Sequence, residues 1–225
     1  MRAIWMLLFV VVVWSPSFSQ QSSAGPASQA VVTFTLDFPN SDPDHYSIVV
    51  RADGRSVYEC SATVSPDSTD KDNFRSEFEV SPRSLKRIFD LAQKAQYFAA
   101  KIDSGNRKLA FTGTKSLTYD DGSRTFSATY NFSSLAAVQE LTTLFQNMSN
   151  TLEYGRRLAY FHRYQKLALD DELKRMERQA RSNELSDVQA VAPVLEEIVA
   201  DKSVINEVRA RAQWLIGFQG KSGRE

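Results

Sequence analysis

Residues 46–63 read YSIVVRADGRSVYECSAT. Tyr46–Ala52 and Arg55–Thr63 are runs rich in β-branched and aromatic residues, which read as strands. Asp53-Gly54 stands between them, and both residues tolerate the positive φ of a two-residue type I′ turn. The stretch is therefore read as a β-hairpin, and its neighbours are read against it. On the N-terminal side, Val31–Leu36 is a further β-branched and aromatic run, joined to the hairpin by the turn-rich loop Pro39–Asp44. On the C-terminal side, Ser65–Asn73 is a polar loop with Asp67, Asp70 and Asp72. A calcium loop needs acids at alternate positions around a central glycine. That spacing fails here, so the loop is read as solvated.

Phe74–Val80 alternates apolar and polar residues and predicts another strand. Ser81-Pro82 then opens a helix, with a hydroxyl at the cap and proline at the first helical position. Leu85, Ile88, Phe89, Ala92 and Ala95 form its apolar face. Leu109–Phe111, Leu117–Tyr119 and Thr125–Tyr130 are further strand candidates, with Asp121-Gly122 closing a second tight hairpin. Ser133 or Ser134 is expected to cap the next helix, whose stripe is Leu135, Val138, Leu141, Phe145, Met148 and Leu152. Hairpin-linked strands with two helices predict an α+β layer: an antiparallel sheet with helices packed on one face. No glycine-rich phosphate loop follows any strand, so a doubly wound nucleotide fold is not expected.

From Glu153 the strand signals stop, and a three-helix C-terminal appendage is expected. Gly155 is read as a kink at the start of a long helix ending near Arg181, with Leu158, Phe161, Leu169, Leu173 and Met176 on its apolar side. Eight basic residues on it (Arg156, Arg157, Arg163, Lys166, Lys174, Arg175, Arg178 and Arg181) are read as a solvated face with i,i+4 pairs such as Asp171–Arg175. Ser186-Asp187-Val188-Gln189 has the form of a capping box. The helix after it carries Val188, Val191, Val194, Leu195 and Ile198. A last helix carries Val204, Val208, Ala212, Leu215 and Ile216.

The first residues predict an address. Arg2 precedes the unbroken apolar run Ala3–Trp14, of signal-peptide length and too short to span a bilayer as a helix. Ser15-Pro16 ends it, and Ser17-Phe18-Ser19 places small residues where a signal peptidase reads, so cleavage is expected after Ser19. The alternative is a leader retained as an anchor. The expected organisation is a signal peptide at 1–19, a flexible linker at 20–30, the α+β domain at 31–152, the helical appendage at 153–218 and a disordered tail at 219–225. The product is expected in the periplasm or outside the cell, with no membrane span after cleavage. Lys+Arg and Asp+Glu balance at 27 each, which gives no basic field for nucleic acid.

Two resemblances follow from quoted residues. The stretch 45–150 resembles a domain of unknown function found in exported bacterial proteins. The likeness is carried by Tyr46-Ser47-Ile48-Val49-Val50, Asp53-Gly54-Arg55-Ser56-Val57-Tyr58-Glu59, Val80-Ser81-Pro82 and Ala95-Gln96-Tyr97-Phe98. That resemblance implies no activity, and the paired-cysteine loop such domains often carry is replaced here by Phe38-Pro39-Asn40-Ser41-Asp42-Pro43. Pro193-Val194-Leu195, Asp201, Val208-Arg209, Ala212 and Leu215-Ile216-Gly217 are similar to one HEAT-type helical hairpin. In that family the aspartate and arginine positions tie neighbouring units together.

Catalytic and metal motifs are not legible. The histidines His45 and His162 have no ligand spacing, and the single cysteine, Cys60, lies in a predicted strand and reads as a small buried thiol. The adjacent acids Asp120-Asp121, Asp170-Asp171 and Glu196-Glu197 are read as turn and helix-surface residues. The expectation is a non-catalytic envelope or secreted interaction module, without cofactor or metal, whose partner is another envelope protein. Two alternatives stay open. One is an exported hydrolase assembled only in three dimensions. The other is a small-ligand binder using the sheet-face aromatics Phe34, Phe78, Phe126 and Tyr130.

Overall fold

The computed structural model describes residues 29–63, 68, 70–106 and 108–222. The expected leader, its cleavage point and the linker up to residue 28 lie outside the described residues. Six strands, β1 (Val31–Asp37), β2 (His45–Arg51), β3 (Arg55–Thr63), β4 (Lys71–Glu79), β5 (Thr114–Asp120) and β6 (Thr125–Tyr130), form one antiparallel sheet in the order β4-β3-β2-β1-β5-β6. Period-two alternation puts Phe34, Ile48, Tyr58 and Leu117 on the helix side, each with no exposed surface. The other face carries Thr33, Thr35, Ser116, Thr118, Ser127 and Thr129. Its hydroxyls pair across strands, Ser116 with Thr129 at 3.1 Å and Thr118 with Ser127 at 2.9 Å.

The predicted hairpin forms, but not with the predicted turn. Gly54 has φ +89° while Asp53 is not left-handed, and Gly54 N donates to Arg51 O at 2.9 Å. The loop is Ala52-Asp53-Gly54, in which glycine alone takes the left-handed position. Asp53 instead accepts from Arg55 N at 3.0 Å. The strand expected at Leu109–Phe111 does not form. The side-chain amide of Asn131 takes the place of a neighbouring strand there, accepting from Thr112 N and donating to Ala110 O, both at 3.0 Å.

α1 (Pro82–Lys94) starts as read, with Ser81 Oγ accepting from Ser84 N at 3.3 Å. It closes through Gln96-Tyr97-Phe98, all three left-handed, with φ of 52°, 54° and 68°. Packing holds this strained turn: Phe98 is buried, and Tyr97 lies 4.4 Å from the ring of Tyr119. α2 (Ala136–Tyr164) is capped at Leu135, not at Ser133 or Ser134, although Ser133 Oγ accepts from Leu135 N at 3.2 Å. It runs without a break across residues 152/153, the boundary expected between the α+β domain and the helical appendage. Its first half buries Val138, Leu141, Phe145 and Met148, with Phe145 stacked on Phe34 at 5.2 Å.

The single long helix expected from Glu153 to Arg181 is corrected to the end of α2, a 3₁₀ turn at Lys166–Ala168, and α3 (Leu169–Arg181). Gly155 makes no kink. It lets the 3₁₀ turn Val188–Val191 approach α2: a Cβ there would meet Val191 Cγ1 at 2.4 Å and Val191 Cβ at 3.1 Å. Gly155→Ala gains about 1 kcal/mol of helix propensity. The overlap with a branched, packed side chain costs about 1–3 kcal/mol. The expected net result is a loss of stability, read as a lower urea midpoint at unchanged slope. A gain would show that Val191 yields freely.

α4 (Ala192–Ala200) and α5 (Asn206–Ser222) complete the helical part. α5 continues past Phe218, into the segment expected as a disordered tail. The capping box at Ser186 does not form. Asp187 is left-handed at φ 55°, and its Oδ1 accepts from Ser81 N at 2.7 Å and from Gln189 Nε2 at 2.8 Å. The aspartate thus joins the start of α1 to the helical part instead of capping its own helix.

Candidate functional site

Along the seam between sheet and helices, inward parity on β3 delivers Tyr58 and Cys60 to α2, which meets them with Ser149 and Glu153. Glu153 Oε1 accepts from Tyr58 Oη at 2.9 Å and from Cys60 Sγ at 3.3 Å. Its Oε2 accepts from Arg156 Nε at 3.0 Å and Nη2 at 2.8 Å. Arg156 Nη1 donates to Thr63 O at 2.9 Å, which fastens α2 to the end of β3. Arg157 Nε donates to the buried Glu172 of α3 at 2.6 Å, and Arg175 reaches the same carboxylate at 2.8 Å. The seam is a chain of alternating charges with every carboxylate partnered, which is the condition for burying charge at tolerable cost.

Burial first, and the Glu153 carboxylate second, push the Cys60 thiol up to about 12. A thiol so raised carries almost no thiolate at neutral pH, and the thiolate is the nucleophile. Cys60 therefore acts as a packed donor to Glu153. Burial likewise raises Tyr58 and Tyr46 well above the usual phenol range.

Beside this seam lies a cleft of about 450 Å³ between the β1–β2 loop and α2, with Asp42, Tyr46, Asn147, Ser149, Tyr154 and Arg157 among its lining residues. Lys115, buried at the other end of β5, donates through Nζ to Thr112 O at 3.0 Å, Thr112 Oγ1 at 2.9 Å, Gly113 O at 3.3 Å and Asn131 O at 3.0 Å. Burial lowers its pKa. The carbonyl cage serves the ammonium and braces the loop ahead of β5.

The turn between α2 and α3 is built differently. Leu167 is 97% exposed there, next to Tyr164 at 61%, while Ile205 at 62% precedes α5. Lys166 fixes the turn by donating to Asp201 Oδ2 and Ser203 Oγ, both at 2.6 Å. His162 Nε2 stands 3.0 Å from the same Asp201 oxygen. Lys166, and after it Ser203, hold the Asp201 carboxyl well below the usual range. The stability this adds is present above pH about 4 and is lost as the pH falls towards the lowered value. Arg163 lies over the Tyr164 ring at 5.2 Å. Tyr164 and Leu167 thus stand in water on an ordered turn, and Ile205 stands in water on the loop before α5, which Ser203 ties to that turn.

The residues singled out in the sequence are dispersed. His45 faces Asp37 at 2.6 Å on the sheet, and His162 is bound to Asp201, far from Cys60, whose partner is Glu153. Of the proposed ligand-binding aromatics, Phe34 and Tyr130 are buried in the core, and Phe78 and Phe126 are half-buried. Asp121 accepts from Ser123 and Arg124 and closes the β5–β6 loop, while Asp120 accepts from Gly122 N at 2.8 Å. On α3, Arg175 reaches Glu172 and not Asp171, and Lys174 reaches Asp170. Sequence reasoning missed Glu153, Glu172, Lys115 and Asp187. The available signal for Glu153 was a carboxylate on the apolar face of a helix followed by arginines three and four residues later. Among the described residues no helix is long and apolar enough to cross a membrane. The chain matches no protein-family model, and no curated protein matches it.

Proposed function

We propose that the protein is exported and works outside the cytoplasm as a non-catalytic interaction module that grips a protein partner through the α2–α3 turn. The observation that carries this reading is Leu167, almost fully exposed on a turn fastened by Lys166, Asp201 and Ser203. Large apolar side chains exposed on a pinned turn favour contact with another macromolecule. Export rests on the apolar run Ala3–Trp14 and the small residues before Gln20. The HEAT-type likeness is supported at Asp201, which binds His162 of α2 and Lys166 of the turn after it. At Arg209 it is not, since that side chain stays on its own helix with Asn206. The likeness of residues 45–150 to the exported bacterial domain remains part of the proposal.

A photo-crosslinking residue at position 167, with one at position 35 on the open sheet face as control, tests the contact in cells. One partner captured at 167 alone, and lost when Ile205→Asp is added, is the expected result. Ile205→Asp should shift stability by no more than about 0.5 kcal/mol, because the side chain is exposed. Equal capture at both positions, or none at 167, overturns the contact. A chain recovered from the cytosol with Met1 intact, in place of an extracytoplasmic chain starting at Gln20, overturns export.

A further inference from the structure

The two edges of the sheet are unlike. β4 carries Lys71, Asp72, Arg75, Glu77 and Glu79, and charges along an edge oppose the addition of another strand. β6 reads TFSATY and has no charged residue. Its residues alternate exposed and half-buried, as on β4, whereas the first three of the inner strands alternate half-buried and buried over most of their length. The β5–β6 loop fixes which way the main chain points. Asp121 N donates to Arg124 O at 3.1 Å, so the pairs Tyr119/Phe126, Leu117/Ala128 and Lys115/Tyr130 share the hydrogen-bonded parity. Thr125, Ser127 and Thr129 therefore turn their N–H and C=O groups away from β5. Among the described residues none of these three N–H groups donates a hydrogen bond, and the next of that parity, Asn131 N, donates to Asp103 Oδ1 at 3.3 Å, which ends the open edge there.

We propose that β6 pairs antiparallel with β6 of a second copy of this chain, about a two-fold axis at Ser127, joining two sheets into one. In that register Thr125 faces the partner's Thr129, and Ser127 faces the partner's Ser127. The three outward pairs exchange about six main-chain hydrogen bonds. Phe126 stands opposite the partner's Ala128, a large residue against a small one, and the two-fold repeats the match. No strand residue meets a like charge across the axis. The hydroxyl rows Ser116–Thr129 and Thr118–Ser127 continue over the seam on the open face. A strand this short and self-complementary suits an identical copy better than a charged foreign segment, because nothing on it selects a charge.

Sedimentation equilibrium of the mature chain from micromolar to millimolar concentration, with amide exchange at Ser127, tests the pairing. The expected result is a monomer–dimer equilibrium in which Ser127 exchange slows as the dimer fills. Ser127→Pro removes an N–H that β5 does not use, and proline is tolerated on edge strands. Ser127→Lys places two ammonium groups across the axis. Each should weaken the dimer by about ten-fold or more, with the circular dichroism spectrum retained, while Thr33→Lys at mid-sheet leaves it intact. If the proline variant does not fold, the lysine variant decides. A monomer at every concentration, or a dimer that survives Ser127→Lys, overturns the proposal. Ile205→Asp should dimerise like the parent chain, so loss of the partner contact and loss of the dimer are separable outcomes.

Discussion

Arg156→Met should lower the unfolding free energy by about 3–5 kcal/mol, the scale on which breaking a buried pair destabilises a protein. Arg156 is 12% exposed and gives three hydrogen bonds, two to Glu153 and one to Thr63 O. Methionine fills much of the volume but supplies no donor. Glu153 then keeps its bonds from Tyr58 and Cys60, and its nearest remaining cation is Arg157 at 3.8 Å. The double variant Glu153→Gln/Arg156→Met should recover part of the loss, because a neutral amide still accepts from Tyr58 and no longer needs a cation. Urea denaturation of the parent, the two singles and the double closes the cycle. A loss below about 0.5 kcal/mol for Arg156→Met would show that water, not Arg156, solvates Glu153.

Phe145→Ala is the second large effect, at about 3–5 kcal/mol. Phe145 and Phe34 are both fully buried and stack with ring planes 3° apart, the main aromatic contact between α2 and the sheet. Alanine leaves a cavity that β1, bonded on both sides by β2 and β5, has little freedom to fill. Phe126→Ala on the half-buried edge strand is the matched control and should cost much less. Similar urea midpoints for the two variants would show that α2 closes onto the sheet after truncation.

The strands were legible because their pattern is short-range. Arg55–Thr63 and Thr125–Tyr130 have the same limits in sequence and structure, each written in its own alternation. Leu109–Phe111 misled because its partner is the side chain of Asn131, 21 positions beyond Ala110, and no local pattern records that. The break after Tyr164 was hidden because no proline or glycine marks it and the apolar stripe resumes in α3. Charge was the better guide: His162 and Arg163 close α2, and Asp170, Asp171 and Glu172 open α3, as the two helix dipoles favour. The seam stayed invisible for a related reason. Tyr58 and Glu153 are 95 positions apart, and each has an ordinary pattern in its own element. The exposed turn was not legible: nothing in the sequence sets Leu167 apart from the apolar residues around it, and only the fold shows it stranded in water.

The uninterrupted course of α2 has a mechanical meaning. At 1.5 Å per residue its 29 residues make a strut about 44 Å long, clamped to the sheet as far along as Arg156 and to the other helices over its second half. A partner held at Leu167, as proposed, would keep a set spacing and orientation relative to the sheet, so load applied at one end would pass to the other without slack.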